Sequence, residues 1–123
     1  MNYNLNLNDR PFKAIKSGTK NIEGRTQTSH ETFSYDDMKP SDTITFTNSV
    51  TKEKMTVEVM AIRHYPDTRA MLEHEGVKNV LSSGLDIEGG IESYNSHPEY
   101  RENILKYGIY GIEIKFLSCS SPS

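Results

Sequence analysis

Residues 18–25 read Gly-Thr-Lys-Asn-Ile-Glu-Gly-Arg, and this stretch decides how the rest of the chain is interpreted. It holds three charged side chains, those of Lys20, Glu23 and Arg25, directly after a segment with helical spacing. Alternate residues of a β-strand point to the same face, so Glu23 and Arg25 share one face and Ile22 points to the other, toward the core. Lys20 joins them only if it lies in the turn before the strand or if a β-bulge intervenes.

A cluster of these three side chains could carry several kinds of chemistry. The planar guanidinium of Arg25 could bind a phosphate or a carbonyl group. Glu23 could accept a hydrogen bond from the amino group of a base, or it could transfer protons. Lys20 could act as a nucleophile or a base if burial or Arg25 lowers its pKa. The alternative is a surface Glu–Arg pair of little energetic value beside a solvated lysine.

The segments on either side of the motif predict a mixture of short helices and strands. Residues 2–7 alternate polar and apolar side chains, which is typical of a half-buried strand. A helix follows, with Asp9 as its N-terminal cap, Pro11 in its first turn and Gly18 at its end. Residues 27–40 are polar and predict a loop. The predicted helices are 10–17, 68–75, 87–94 and 100–106, and the predicted strands are 2–7, 20–26, 43–48, 55–65 and 109–116.

These elements predict the fold class. Asp67 and Asp86 each precede a predicted helix and are expected to cap it. Strands 43–48 and 55–65 lie close enough in sequence to form a hairpin. About five strands with short helices between them favour an α+β domain built on a small, mostly antiparallel sheet or barrel.

Composition limits the kinds of protein that this chain can be. Its 123 residues suit one domain, and no apolar run approaches the roughly 20 residues that a membrane-spanning helix needs. The formal net charge of -3 excludes a generally basic surface for nucleic acid. Residues 1–25 nevertheless carry five Lys or Arg against two Asp or Glu, which indicates either a basic helix face in solvent or part of a site for an anion or a polynucleotide.

Motifs for metals, cofactors and secretion are missing from the sequence. Cys119 is the single cysteine, so no internal disulfide is possible. The four histidines are scattered and no zinc-binding or nucleotide-phosphate motif occurs, so we predict neither a metal site nor a cofactor. No charged-then-apolar signal segment opens the chain, and we expect a cytoplasmic protein that does not contact a membrane.

Four motifs in order resemble the ASCH domain family, a branch of the PUA-like β-barrel proteins. The first is G-x-K-x-x-E-x-R at residues 18–25, after a short helix. Residues 39–46 resemble the family's (K)xGDxIxF entry to a strand, with Ser41 where glycine is usual. Residues 71–76 resemble its MLxxEG helix, and residues 107–114 resemble its closing YGVxAIxI strand. The resemblance predicts an ASCH domain over residues 1–117, followed by a flexible tail at 118–123.

The resemblance implies a PUA-like fold, a small and mostly antiparallel β-barrel with inserted short helices. ASCH domains are generally proposed to bind RNA or to act on nucleotides. The implied function is binding of RNA or a modified nucleoside in a cleft lined by Lys20, Glu23 and Arg25. His64 and Tyr65 end a long predicted strand, and we expect them to border this cleft beside Arg25 as ligand-binding residues. A hydrogen-bonded structural histidine is the alternative for His64.

The resemblance also implies an enzymatic alternative, a small hydrolase. One small bacterial member type is a 4-acetylcytidine amidohydrolase whose chemistry is ascribed to a Lys, a Thr and a Glu. Lys20 matches that lysine, whereas Glu23 stands where that enzyme has threonine. The third residue would come from the helix after the long strand, so Glu75 is the first candidate and Glu73 the second. Other members are described as ribonucleases that use a divalent metal, which Glu23 and Glu75 could in principle hold.

Aromatic residues are candidates for contacts with nucleobases. Each of four tyrosines, named at the end of this paragraph, could stack on a base or belong to the core or its rim. The long polar loop could close over a ligand through Phe33 and Tyr35, or these two could simply anchor it. The tyrosines in question are Tyr94, Tyr100, Tyr107 and Tyr110.

Overall fold

Alternating residues at the start of the chain form strand β1 (Asn2–Leu7), in which Tyr3, Leu5 and Leu7 are buried and the asparagines are exposed. The computed structural model describes residues 1–120. The other strands are β2 (Ile22–Arg25), β3 (Thr43–Asn48), β4 (Lys54–Tyr65) and β5 (Ile109–Ser120). The helices are α1 (Asp9–Ser17), α2 (Thr68–Glu75), α3 (Val77–Val80), α4 (Ile87–Asn95) and α5 (Tyr100–Tyr107), and a 3-10 turn spans Tyr35–Asp37. None of the described helices is long and apolar enough to span a membrane.

The strands form one curled, mixed sheet that makes a half-barrel in the order β1-β3-β4-β5-β2. β1 pairs with β3 in parallel, and the other three pairings are antiparallel. The predicted α+β class and mostly antiparallel sheet are therefore confirmed. β1 and β2 are the two edges of the sheet, and they lie on either side of its open seam.

Each face of the sheet packs against its own set of helices. We call one the α1 face, where α1 and the 3-10 turn cover residues such as Phe46, Val57 and Ile112. We call the other the α2 face, where Met71 and Leu72 of α2 pack with apolar residues of α3 to α5. Both faces bury apolar area, which is the main favourable contribution to folding.

Two of the three predicted helix caps form. The side chains of Asp67 and Asp86 accept hydrogen bonds of 2.8 Å from the main-chain N–H groups of Ala70 and Gly89. The prediction for Asp9 is wrong, because α1 begins at Asp9 itself and its carboxylate instead accepts from the Asn48 side chain. Gly18 ends α1 with φ +89, a left-handed conformation that glycine adopts without steric cost.

The last strand is longer than predicted. β5 continues to Ser120, and its residues 118–120 pair with residues 54–56 of β4. The structure therefore corrects the predicted start of a flexible tail at residue 118. Residues 121–123 of that predicted tail lie outside the described residues.

Candidate functional site

The unpaired edges of β1 and β2 face each other across a cleft of about 1070 Å³. β1 forms one wall over its whole length, from Asn2 to Leu7. Lys20 and the β2 residues 23–25 form the opposite wall. The predicted cleft residues Lys20, Glu23 and Arg25 are thus brought together at one opening of the sheet.

Lys20 reaches the other two side chains from the turn before β2, as the motif requires. Its Nζ lies 3.1 Å from Oε1 of Glu23, and Nε of Arg25 lies 2.7 Å from Oε2 of the same carboxylate. Glu23 and Arg25 share the α1 face because alternate residues of β2 point the same way. The carboxylate therefore bridges two cations, and the side chains of Lys20 and Glu23 are only 3% and 7% exposed.

The ammonium group of Lys20 is fully hydrogen-bonded. Besides Glu23, its Nζ donates to the carbonyl oxygens of Ile22 and Val80, each at 2.5 Å. A lysine ammonium has three N–H donors, so these three oxygens match its charged form. One of these bonds ties the turn before β2 to the end of α3.

Burial and neighbouring charges oppose each other within this cluster. Burial lowers the pKa of Lys20, and the Glu23 carboxylate offsets part of that effect. Burial alone would raise the pKa of Glu23, but Lys20 and Arg25 outweigh it and hold that pKa below its usual value. Burial would lower the pKa of Arg25, and the contact with Glu23 raises it instead. The cluster thus holds one buried carboxylate and two cations, a net positive charge.

Arg25 also closes part of the open seam. One of its terminal N–H groups donates a hydrogen bond of 2.7 Å to the main-chain carbonyl of Asn6 in β1. A guanidinium has five N–H donors, and the hydrogen bonds to Glu23 and Asn6 use two of them. The remaining donors have no hydrogen-bond partner among residues 1–120, and Arg25 lines the cleft with its side chain 15% exposed.

Tyr94 and Tyr100 form a stacked pair beside β2. Their ring centroids are 6.3 Å apart with an interplanar angle of 15°, and both residues line the cleft. The Tyr94 hydroxyl occupies the space where a side chain at Gly24 would begin, so only glycine allows this approach. Of the four tyrosines considered for stacking, these two reach the cleft. Tyr107 is exposed on α5, and Tyr110 is buried with its hydroxyl donating to Asp36.

The long loop after β2 is anchored at two points. Tyr35 is fully buried and belongs to the core, whereas Phe33 lines the cleft. Ser29 donates through its N–H and its hydroxyl to the Glu99 carboxylate, at 3.0 and 2.8 Å. The interpretation as an anchor therefore fits Tyr35, and for Phe33 closing over a ligand stays the alternative.

The structure does not bring Glu75 to the cleft. Its carboxylate accepts two hydrogen bonds from Arg63, at 2.5 and 2.8 Å, and one from the Tyr65 hydroxyl. The Glu75 carboxylate lies against Gly111, the strand partner of Gly24, on the α2 face of the sheet. The Glu23 side chain points to the opposite face. Glu75 therefore does not line the cleft with Lys20 and Glu23, and its catalytic role stays a prediction. The second candidate, Glu73, is exposed on α2.

His64 and Tyr65 also lie away from the cleft lining. His64 stacks on Tyr110 at 4.5 Å and its Nε2 lies 2.6 Å from the Tyr107 carbonyl, so it has the structural role that was the alternative. The Tyr65 hydroxyl contacts Nδ1 of His74 and the Glu75 carboxylate. Neither residue lines the cleft, because β5 separates β4 from β2, and their role in ligand binding stays a prediction.

Sequence reasoning missed Asn6. Its main-chain carbonyl accepts a hydrogen bond from Arg25 at the cleft. A pattern of side chains in the sequence does not predict a main-chain acceptor. The asparagines at every second position of β1 were the available signal, because they mark the solvent face of a strand. Among residues 1–120, no group of three or more His, Cys, Asp or Glu side chains is arranged to hold a metal ion.

Comparison with known proteins gives a family match and similar solved structures. The model of the ASCH domain matches residues 5–118. The crystal structure of hypothetical protein PH0355 is 34% identical, and the alignment covers 95% of this chain and 100% of that one with a TM-score of 0.79. The solution structure of protein PF0455 from Pyrococcus furiosus is 35% identical, with 96% and 99% covered and a TM-score of 0.70.

A more distant structure shares the fold alone. A serine-to-alanine mutant of ZmASCH from Zymomonas mobilis is 17% identical, with 93% of this chain and 67% of that chain covered and a TM-score of 0.57. None of the curated proteins matches the sequence. The architecture is thus the α+β, PUA-like one that the four motifs predicted.

Proposed function

This chain belongs to the ASCH domain family, and from that premise we propose that it binds a nucleobase, as part of RNA or of a modified nucleoside, in the cleft between β1 and β2. The observation that carries the proposal is the buried Lys20–Glu23–Arg25 cluster at the wall of a cleft of about 1070 Å³. Arg25 keeps guanidinium donors for a planar carbonyl or a phosphate.

The stacked tyrosines supply a second kind of contact. Single-stranded RNA is recognised largely by stacking bases on aromatic rings and by hydrogen bonds to their edges. Tyr94 and Tyr100 lie in the same cleft as Arg25, so one ligand can reach both an aromatic surface and a cation. The overall charge of -3 favours a short segment or a single nucleoside over a long polynucleotide track.

Binding is better supported than amide hydrolysis. An amidohydrolase would need a neutral amine at Lys20 that accepts a proton, yet its nitrogen donates to three oxygens. Glu23 stands where the amidohydrolase type has threonine, and a carboxylate cannot replace a hydroxyl nucleophile directly. The Glu75 carboxylate, the expected third group, is held by Arg63 on the α2 face. No observation among the described residues favours the metal-dependent ribonuclease.

The test is a binding titration with two ligand sources. Short single-stranded RNA and free nucleosides, including 4-acetylcytidine, are titrated separately by calorimetry, which distinguishes a polynucleotide ligand from a nucleoside. We expect Tyr100→Leu to weaken binding about tenfold, because stacking on one aromatic ring contributes roughly 1–3 kcal/mol. Tyr107→Leu on the same helix is the matched control and should leave affinity unchanged, since Tyr107 lies outside the cleft.

A second pair of variants tests the cation. Arg25→Lys keeps the charge but loses the planar fork, and we expect weaker binding. Arg69→Lys is its control, because Arg69 is an exposed residue paired with Glu88. The proposal is contradicted if neither RNA nor any nucleoside binds, or if all four variants bind alike. If the wild type removes the acetyl group from 4-acetylcytidine and the Lys20→Ala variant does not, the hydrolase is supported instead.

A further inference from the structure

Residues 28–32 form a strap along one side of the cleft. Thr28, His30, Glu31 and Thr32 of this strap line the cleft. The Thr28 hydroxyl bonds to the Glu31 carboxylate, and the His30 N–H donates to the Thr28 hydroxyl at 3.2 Å. Both bonds lie within the strap, so its residues hold one local shape and can move as a unit.

Gln27 fixes the two ends of the strap to each other. Its side-chain nitrogen donates to the Phe33 carbonyl at 2.6 Å, and its side-chain oxygen accepts from the Tyr35 N–H at 3.0 Å. Its main-chain carbonyl accepts from the Asn103 side chain of α5 at 2.8 Å. The rings of Phe33 and Tyr35 add an edge-to-face contact at 5.1 Å. The base of the strap is therefore held without any contribution from its tip.

The tip of the strap, Ser29 and His30, is held from outside by one side chain. The Glu99 carboxylate accepts from the Ser29 N–H and hydroxyl, at 3.0 and 2.8 Å, and lies 3.5 Å from Nε2 of His30. Among residues 1–120, no hydrogen bond other than those to Glu99 joins the tip to the chain outside the strap. The His30 side chain is 80% exposed, so packing contributes little to holding the tip.

The backbone of Glu99 opposes this arrangement. Glu99 directly precedes α5, at a position where an extended backbone and a capping side chain are usual. It instead has φ +69, in the left-handed region, and its side chain makes no capping bond. A residue with a side chain adopts this region at a cost, which is tolerated where surrounding contacts impose it. Release of the tip lets this backbone relax, so the open and closed strap differ less in free energy than the bonds alone provide.

We propose that residues 28–32 open and close one side of the cleft, with Gln27 as the fixed base of the strap and Glu99 as its latch. The inference concerns access to the cleft and holds whichever ligand the cleft takes. Glu99 is a positioning residue, because it acts through Ser29 and His30 and does not line the cleft itself. Opening removes the side chains of the strap from the cleft wall and widens the entrance.

Hydrogen exchange of single amides, followed by NMR, tests the latch. Glu99→Gly removes the carboxylate and suits the left-handed backbone, so thermal unfolding should be unchanged or raised. We expect the Ser29 amide to exchange about tenfold faster or more, because it loses a bond to a charged group. The Tyr35 amide, which is bonded to Gln27, should keep its rate. Glu102→Ala, at an exposed position of α5, makes the same change of charge and should leave both rates unaltered.

A second measurement tests whether the released strap exposes the cleft. Ser93→Cys on α4 places a thiol in the cleft lining, and Cys119→Ser removes the native one. The rate of alkylation by iodoacetamide, a neutral reagent, then measures access to the cleft. We expect Glu99→Gly to raise this rate about fivefold or more in this background, since a more populated local opening exposes the thiol more often. Glu102→Ala should not alter it.

Each outcome supports or overturns the strap. Faster exchange at Ser29 with an unchanged Tyr35 rate, together with faster alkylation, supports it. An unchanged Ser29 rate overturns Glu99 as the latch. Equal acceleration at Ser29 and Tyr35 means that the whole loop unfolds, and an unchanged alkylation rate means that the strap does not control access, so either result overturns the inference. These measurements contain no nucleoside or RNA, so their result is independent of the proposed function.

Discussion

Arg25 donates a hydrogen bond of 2.7 Å to the main-chain carbonyl of Asn6 and so joins the two edge strands of the sheet. The same guanidinium bonds the Glu23 carboxylate, which in turn contacts Lys20. The seam of the half-barrel and the charged cluster are therefore one structural unit. Changes in the cluster should alter the stability of the domain as well as ligand binding.

Glu23→Gln removes the carboxylate between two buried cations. We expect a loss of about 3 kcal/mol or more in the free energy of unfolding at pH 7, because the variant leaves buried charges without a partner. Urea unfolding measures this loss. Glu92→Gln, at an exposed position of α4, is the control and should cost little.

The same carboxylate makes stability depend on pH. The folded state holds the pKa of Glu23 below its ordinary value of 4.5, mainly because Lys20 and Arg25 outweigh burial. Its contribution is therefore present above the unfolded pKa and is lost as pH falls through the folded one. Stability of the wild type should fall more steeply on acidification than that of Glu23→Gln. Parallel pH curves for the two proteins would contradict this linkage.

Lys20→Met tests whether the buried lysine is structural. The substitution leaves the Ile22 and Val80 carbonyls without their donor and removes one cation from Glu23. We expect a loss of about 2–4 kcal/mol in the free energy of unfolding. Lys78→Met, exposed on α3, is the control. Unchanged stability together with a lost hydrolytic activity would instead indicate a catalytic amine.

Gly24→Ala tests the close approach of Tyr94 to β2. The new Cβ would overlap the Tyr94 hydroxyl and lie 2.9 Å from Cε of Met71. Overpacking of this kind costs about 1–3 kcal/mol. In a Tyr94→Phe background the cost should shrink, because the overlapping hydroxyl is gone, and a double-mutant cycle measures the difference. Strictly additive effects would show that the two residues are not in contact.

Glu75→Gln tests the separation of the α2 face from the cleft. Its side chain is 5% exposed and bonded to Arg63, which is 33% exposed, so we expect a modest loss of about 1–2 kcal/mol in stability. Nucleoside affinity should stay within twofold of the wild type, as measured by calorimetry. A large loss of nucleoside affinity with unchanged stability would show that Glu75 takes part in binding.

Local sequence patterns predicted most of the fold. Alternation in β1, the caps Asp67 and Asp86, and the left-handed Gly18 each depend on neighbours within a few residues, and all three features form. Asp9 does not cap α1, because the helix begins at Asp9 itself and the Asp9 carboxylate accepts from the Asn48 side chain of β3.

In the candidate site too, the residues close together in sequence were predicted and those positioned by distant contacts were not. Lys20, Glu23 and Arg25 lie within six residues, so strand alternation and one turn were enough to bring them together. Glu75 depends on where α2 packs, and the pairing of Gly24 with Gly111 places it across the sheet. Asn6 enters through its main chain and a bond spanning nineteen residues, which side-chain motifs do not encode.

The most direct test of the cleft as the binding site is the response of backbone amides and arginine side chains to ligand in NMR spectra. On titration with cytidine, we predict the largest shifts at the Asn6 amide and at the Arg25 side chain, with Glu75 and His64 unchanged. Shifts centred on Glu75 and His64, with Asn6 and Arg25 silent, would contradict a binding site between β1 and β2.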